Sequence, residues 1–113
     1  MQDDTRDKRR HPRLMREETL SIRPLDVTVA AVDGQPLYCS TLDMSASGMR
    51  VQIDQALPEG TRVDIWIALL DDLGTYHLQG RINRLTTSGD GNLVAGIELL
   101  PESEDLRGWE ELF

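Results

Sequence analysis

Two short stretches of this 113-residue chain hold side chains whose type and spacing suit recognition of an anion. The first is Arg9-Arg10-His11-Pro12-Arg13, in which Arg9 and Arg13 stand four positions apart, with Arg10 between them and Lys8 just before. A guanidinium is a planar fork that donates two parallel hydrogen bonds, to phosphate oxygens or to the O6 and N7 edge of guanine. By itself the cluster is equally a solvated basic tail. The second stretch is Asp43-Met44-Ser45-Ala46-Ser47-Gly48. Asp and Ser cap turn backbones, and Gly adopts conformations other residues resist, so one reading is a self-capped turn. The other reading puts a carboxylate and a hydroxyl on one corner, where Asp43 accepts from the N1 and N2 donors of a guanine whose acceptor edge Arg13 reads. Gly48 would let the ligand approach the backbone.

These residues need a scaffold that brings them together, and the hydropathy pattern describes one. From Leu20 the pattern is β-like, broken by Pro24 in the manner of an irregular or edge start, before Val27, Val29 and Ala31 line one face of a strand. Asp33-Gly34 signals a hairpin turn, and a second strand over Pro36 to Asp43 pairs back antiparallel. Met49, Val51 and Ile53 alternate with Arg50 and Gln52, as a half-buried strand requires. Leu57 to Gly60 reads as a turn, followed by Val63, Ile65, Ile67 and Leu69 with Asp64 and Trp66 opposite. Asp71 to Gly74 turns the chain again, and Tyr76, Leu78, Gly80 and Ile82 mark a fifth strand, in which Gly80 predicts a bend or close backbone approach. After the loop Ser88 to Asn92, Leu93, Ala95, Ile97 and Leu99 make a sixth. Beyond Pro101, Leu106, Trp109 and Phe113 recur at helical spacing, with Glu102, Glu104 and Asp105 where a helix N-terminus favours negative charge. The reading is all-β: six short antiparallel strands closing into a barrel or sandwich, capped by a C-terminal helix.

Charge sharpens the contrast between arm and body. Arg6 to Arg16 holds six of the twelve Lys and Arg residues against one acid, leaving six cations against nineteen acids elsewhere in a chain of net charge −8. So acidic a body is poorly suited to coating DNA. No apolar run approaches the twenty or so residues of a membrane span, no signal peptide is visible, and the single Cys39 forms no internal disulfide, which fits a cytoplasmic protein. The length suits one domain, with both tryptophans expected to add large buried areas. Residues 1–19 read as a flexible arm and 20–113 as the barrel with its helix.

Taken together, the two stretches resemble the PilZ domain, a family of bacterial receptors for cyclic di-GMP. That family pairs an Arg-x-x-x-Arg arm with an Asp/Asn-x-Ser-x-x-Gly turn some thirty residues later on a six-stranded β-barrel. Arg9 and Arg13 match the first, and Asp43, Ser45 and Gly48 the second. Ala95-Gly96-Ile97-Glu98-Leu99 matches the final strand before a helix, so the resemblance runs from residue 9 to the end of the chain. It implies that the arm wraps one mouth of the barrel and clamps the dinucleotide against the turn. Arg9 and Arg10 would hold phosphates and stack on bases, Arg13 would read a guanine edge, and Asp43 and Ser45 would complete its hydrogen bonding. A cationic Lys8 before the motif favours a stacked pair of ligands over one. The implied function is a non-enzymatic second-messenger receptor or adaptor whose ligand orders the arm and alters a surface met by a protein partner, with no cofactor, DNA, RNA or membrane insertion.

Two other readings remain at this stage. A small barrel binding single-stranded nucleic acid would need exposed aromatic rings for stacking, and the chain has five aromatics in all. A barrel of the same family could instead be a protein-interaction domain that ignores the nucleotide. No nucleophile-base pair or metal cluster suggests an enzyme: His77 reads as a satisfied or exposed sheet residue, His11 lacks partners at ligand spacing, Cys39 reads as core, and Asp71-Asp72 as a solvated loop.

Overall fold

A computed structural model of the protein describes residues 18–25, 36–69 and 74–113. Six strands, β1 (Thr19–Pro24), β2 (Leu37–Met44), β3 (Gly48–Ile53), β4 (Arg62–Leu69), β5 (Gly74–Thr87) and β6 (Leu93–Leu99), precede a short helix, α1 (Leu106–Glu110). They close into a barrel in the order β1-β2-β3-β6-β5-β4, every neighbouring pair antiparallel. The alternation seen in the sequence is what fills it. Leu20 and Ile22 from β1, Met49, Val51 and Ile53 from β3, Val63, Ile65 and Ile67 from β4, and Ala95 and Ile97 from β6 all point into one core. Cys39 joins them, and burial, with Asp54 adding, pushes its thiol up to about 12, so it remains an uncharged core group.

Closure depends on a crossover: β3 pairs with β6 rather than with β4, and β4 returns to pair with β1. The strand from Thr19 to Pro24 is therefore neither irregular nor an edge. It is bonded to β2 on one side and β4 on the other, and Pro24 is tolerated because it is the last residue of the strand. The strand expected over Val27 to Ala31, the Asp33-Gly34 turn and Asp71-Asp72 lie outside the described residues. The close approach expected at Gly80 is present, since a Cβ there would stand 2.5 Å from Ile97 Cγ2 and 3.1 Å from Glu98 O.

The C-terminal segment departs from expectation in two ways. The helix has only five residues; Trp109 is its fully buried side chain, 0 % exposed and meeting Tyr76 edge-on at 5.6 Å and Phe113 at 5.4 Å, while Leu106 and Phe113 pack partly buried against the same core, as the helical spacing predicts. Asp105 stands at the N-cap without a side-chain cap bond, and it and Glu104 turn to β5 instead. Asp105 Oδ2 accepts from the His77 backbone N–H at 2.7 Å, while Glu104 and Asp64 take the two ring nitrogens of His77 at 2.7 and 2.6 Å. Specific partners on a neighbouring strand outweigh the diffuse field of so short a helix. Ser103 completes the seam, its hydroxyl accepting from Gln79 N and lying 2.7 Å from Leu100 O. Trp66, expected to add a large buried area, is 47 % exposed on the outer wall, its ring stacked on His77 at 4.1 Å and 6°. It lies on the face opposite the core by strand parity.

This cluster carries a pH prediction. A neutral imidazole has one N–H, so donating to two carboxylates requires the charged ring. The hydrogen bond that its ring donates to Glu104, with Asp64 adding, raises His77 above its ordinary 6.5 against a smaller opposing effect of burial. A pKa raised by folding gives stability that is complete below the unfolded value and lost as pH rises through the folded one. His77→Gln should therefore flatten the decline in melting temperature of the wild-type protein as pH rises above 6.5, measured by thermal unfolding over a pH series.

Candidate functional site

The turn that the sequence singles out joins β2 to β3, and a β-bulge sets its geometry. Thr41 faces Val51 across the pair, but Asp43 faces Arg50, so the register slips by one residue at Leu42. Such an extra residue re-aims the side chains beyond it. Without it Asp43 would share the inward parity of Cys39 and Thr41; with it, Asp43 falls opposite the outward-facing Arg50 and Met44 enters the core opposite Met49. Asp43 is nonetheless 0 % exposed. Arg50 Nε donates to its Oδ2 at 2.7 Å and Nη2 stands 2.6 Å from the same oxygen. A carboxylate that has lost its water needs such a charge-assisted partner.

Three further contacts fix the corner. Ser45 N donates to Gly48 O at 2.8 Å, and the Ser45 hydroxyl lies 3.3 Å from the same oxygen, closing the turn on itself. Leu99 N of β6 donates to Ser47 O at 2.9 Å. From α1, the indole Nε1–H of Trp109 donates to Ser45 O at 2.9 Å in a buried hydrogen bond. The self-capped character expected of this turn is present, while the unusual backbone conformation expected of Gly48 is not. Its backbone has no positive φ, unlike Gly60, Gly74 and Gly91. Glycine stands there because a Cβ would lie 2.3 Å from the backbone oxygen of Ile97. Gly48→Ala must push β3 away from β6 and is expected to cost about 2–3 kcal/mol of stability, measurable by denaturant titration.

Beside the corner lies an open groove of about 350 Å³, bounded by Ser45, Ser47 and Gly48 at one end and by Arg50, Asn83 and Glu98 along its walls. Arg50, Asn83 and Glu98 are not in the sequence-predicted set. Arg50 was legible only as the polar side of a strand, because its pairing with Asp43 depends on a bulge that no residue type announces. Arg9, Arg10, Arg13 and Lys8 lie outside the described residues, as does His11. Thr41 N donates to Glu18 O at 2.9 Å and Glu18 N donates to Thr41 Oγ1 at 2.8 Å, so the chain enters the barrel two residues from Asp43. Among the described residues no His, Cys, Asp and Glu side chains gather as a metal site, and no helix is long and apolar enough to cross a membrane.

Comparison with known proteins agrees with this architecture. The chain resembles the PilZ domain of YcgR from Escherichia coli, solved with c-di-GMP, at 18% identity over 94% of this chain and 88% of that one, with a TM-score of 0.63. The PilZ domain of CeSA from a cellulose-synthesizing bacterium aligns at 21% identity over 89% and 93% of the two chains, with a TM-score of 0.60. The Bacillus subtilis inhibitor of motility MotI/DgrA aligns at 12% identity and a TM-score of 0.69, over 94% of this chain and 49% of its own, so this chain spans about half of that protein. No curated protein matches by sequence. The family model described as the PilZ domain matches residues 7–111, from the basic stretch through the helix, and with the closed six-stranded barrel and its Asp-x-Ser-x-x-Gly corner this makes the chain a member of the PilZ domain family.

Proposed function

We propose that this protein is a receptor for cyclic di-GMP. The observation that carries the reading is the entry point of the chain. Glu18 is bonded to Thr41, beside Asp43, and Arg13 is only five residues upstream, at most about 18 Å away along an extended backbone. The arm that bears Arg9, Arg10 and Arg13 is thus rooted at the mouth that bears Asp43, Ser45 and Gly48. Membership of a family with a member solved holding c-di-GMP supports the same ligand here.

In this mechanism the arginines hold the phosphates and the acceptor edge of a guanine, while Asp43 and Ser45 receive its donor edge. Ligand contacts draw the arm upstream of Glu18 over the mouth, and that ordering alters a surface met by a protein partner. Lys8, ahead of the motif, favours a stacked pair of ligands. An amide-resonance titration with cyclic di-GMP tests binding, stoichiometry and arm closure together. Saturable shifts at residues 8–13 and 43–48 are expected, while an unchanged spectrum at saturating nucleotide would overturn the reading. Affinity should also fall as salt is raised, because phosphate charge is screened.

The single-stranded nucleic acid reading has weaker support. Tyr38 and Trp66 are exposed on neighbouring sections of the wall and offer stacking faces, but Asp64 and Glu104 stand beside Trp66 through His77 and repel phosphate. Oligonucleotides are expected to give no gel shift at concentrations where the cyclic dinucleotide saturates.

A further inference from the structure

Gly96 is a glycine for which the fold supplies no reason. Its backbone has no positive φ, and a Cβ built on it meets nothing closer than Arg84 Cβ at 3.8 Å, in contrast to the collisions at Gly48 and Gly80. Its neighbours on either side are cations. Arg50 of β3 faces Gly96 across one pair, and Arg84 of β5 faces it across the other. A second bulge, at Asn83 between Ile82 and Arg84, brings Arg84 to this position. Both bulges among the described residues thus set residues along one wall: the first places Asp43 against Arg50, the second places Arg84 beside Gly96. Bulges gather where a sheet must re-aim a side chain for a ligand.

We propose that Arg50, Gly96 and Arg84 form the barrel-wall half of the nucleotide site, a glycine-floored slot that takes a guanine base stacked on Arg50, with the adjoining phosphate on Arg84. The inference rests on the receptor reading above and extends it to residues outside the Arg-x-x-x-Arg and Asp-x-Ser-x-x-Gly motifs. Strand spacing sets the roots of the two arginines about 9–10 Å apart, with bare backbone between them. Arg50 is suited to stacking because Asp43 holds its fork while the side chain remains 52 % exposed. Glu98, which faces Gly48 of β3 on one side and Arg81 of β5 on the other, lines the groove at its Gly48 end. Its carboxylate repels a phosphate there and suits the N1 and N2 donors of guanine, so that end receives a base.

Calorimetric titration of cyclic di-GMP into the wild-type chain and into Gly96→Val, Arg84→Ala and Arg50→Lys tests the slot, with thermal unfolding of each as the control. Gly96→Val should melt no lower than wild type, because a β-branched residue suits an open strand position, and should bind about tenfold more weakly or worse because the floor is filled. Arg84→Ala should weaken binding about five- to tenfold and reduce its salt dependence. Arg50→Lys keeps a cation for Asp43 but lacks the planar face, so its melting temperature should stay near wild type while affinity falls about tenfold. If wild type binds and Gly96→Val and Arg50→Lys bind within twofold of it, the slot is wrong and the receptor reading stands. If wild type itself gives no binding, both fall.

Discussion

Asp43→Ala is expected to raise the dissociation constant for cyclic di-GMP by more than a hundredfold while leaving the barrel folded. Two guanine donors directed at one carboxylate are each charge-assisted, worth about 1.5–3 kcal/mol apiece, so losing both exceeds the roughly 2.8 kcal/mol that a hundredfold represents. The fold should persist because Arg50 is 52 % exposed and its guanidinium can turn to water when its partner is removed. Arg13→Ala is expected to act in the same direction through the acceptor edge of the base. Isothermal titration beside a thermal melt separates affinity from folding. Wild-type affinity in both variants would reject the assignment of the site.

Trp109→Ala should be the most destabilising single substitution in the C-terminal segment, costing about 3–5 kcal/mol as expected when a fully buried tryptophan is truncated. That is a large share of the 5–15 kcal/mol by which domains are stable. The variant would lose the contacts with Tyr76 and Phe113 and the hydrogen bond to Ser45 O together. Trp109→Phe divides the two effects. It keeps most of the packing but leaves Ser45 O without the indole donor, at about 1–3 kcal/mol, and loosens the corner that carries Ser45. The expected result is a folded protein with a lower melting temperature and weaker cyclic di-GMP affinity, read by thermal melt and titration. A Trp109→Phe protein with unchanged affinity would show that the helix supports the barrel without positioning the turn.

The strands were legible because a half-buried strand writes its two-residue period into the chain. Met49, Val51 and Ile53, then Val63, Ile65 and Ile67, alternate in the sequence as they do in the core. The first strand was harder to read. Leu20 and Ile22 are a short signal interrupted by Pro24, and only pairing with both β2 and β4 makes them a central strand. Trp66 shows the same limit from the opposite side. Hydrophobicity favoured burial, and parity placed it outside, against His77.

Residue type and local spacing determined the five strands from Leu37 onward, the Asp43-Ser45-Gly48 corner and the concentration of charge in the arm, since each is carried by neighbours in the chain. The tertiary structure alone decided that β3 lies against β6, that bulges at Leu42 and Asn83 turn Asp43 and Arg84 toward Arg50 and Gly96, and that Trp109 reaches Ser45. Those contacts join residues tens of positions apart. Their energy comes from register, shape and burial that exist only once the barrel has closed.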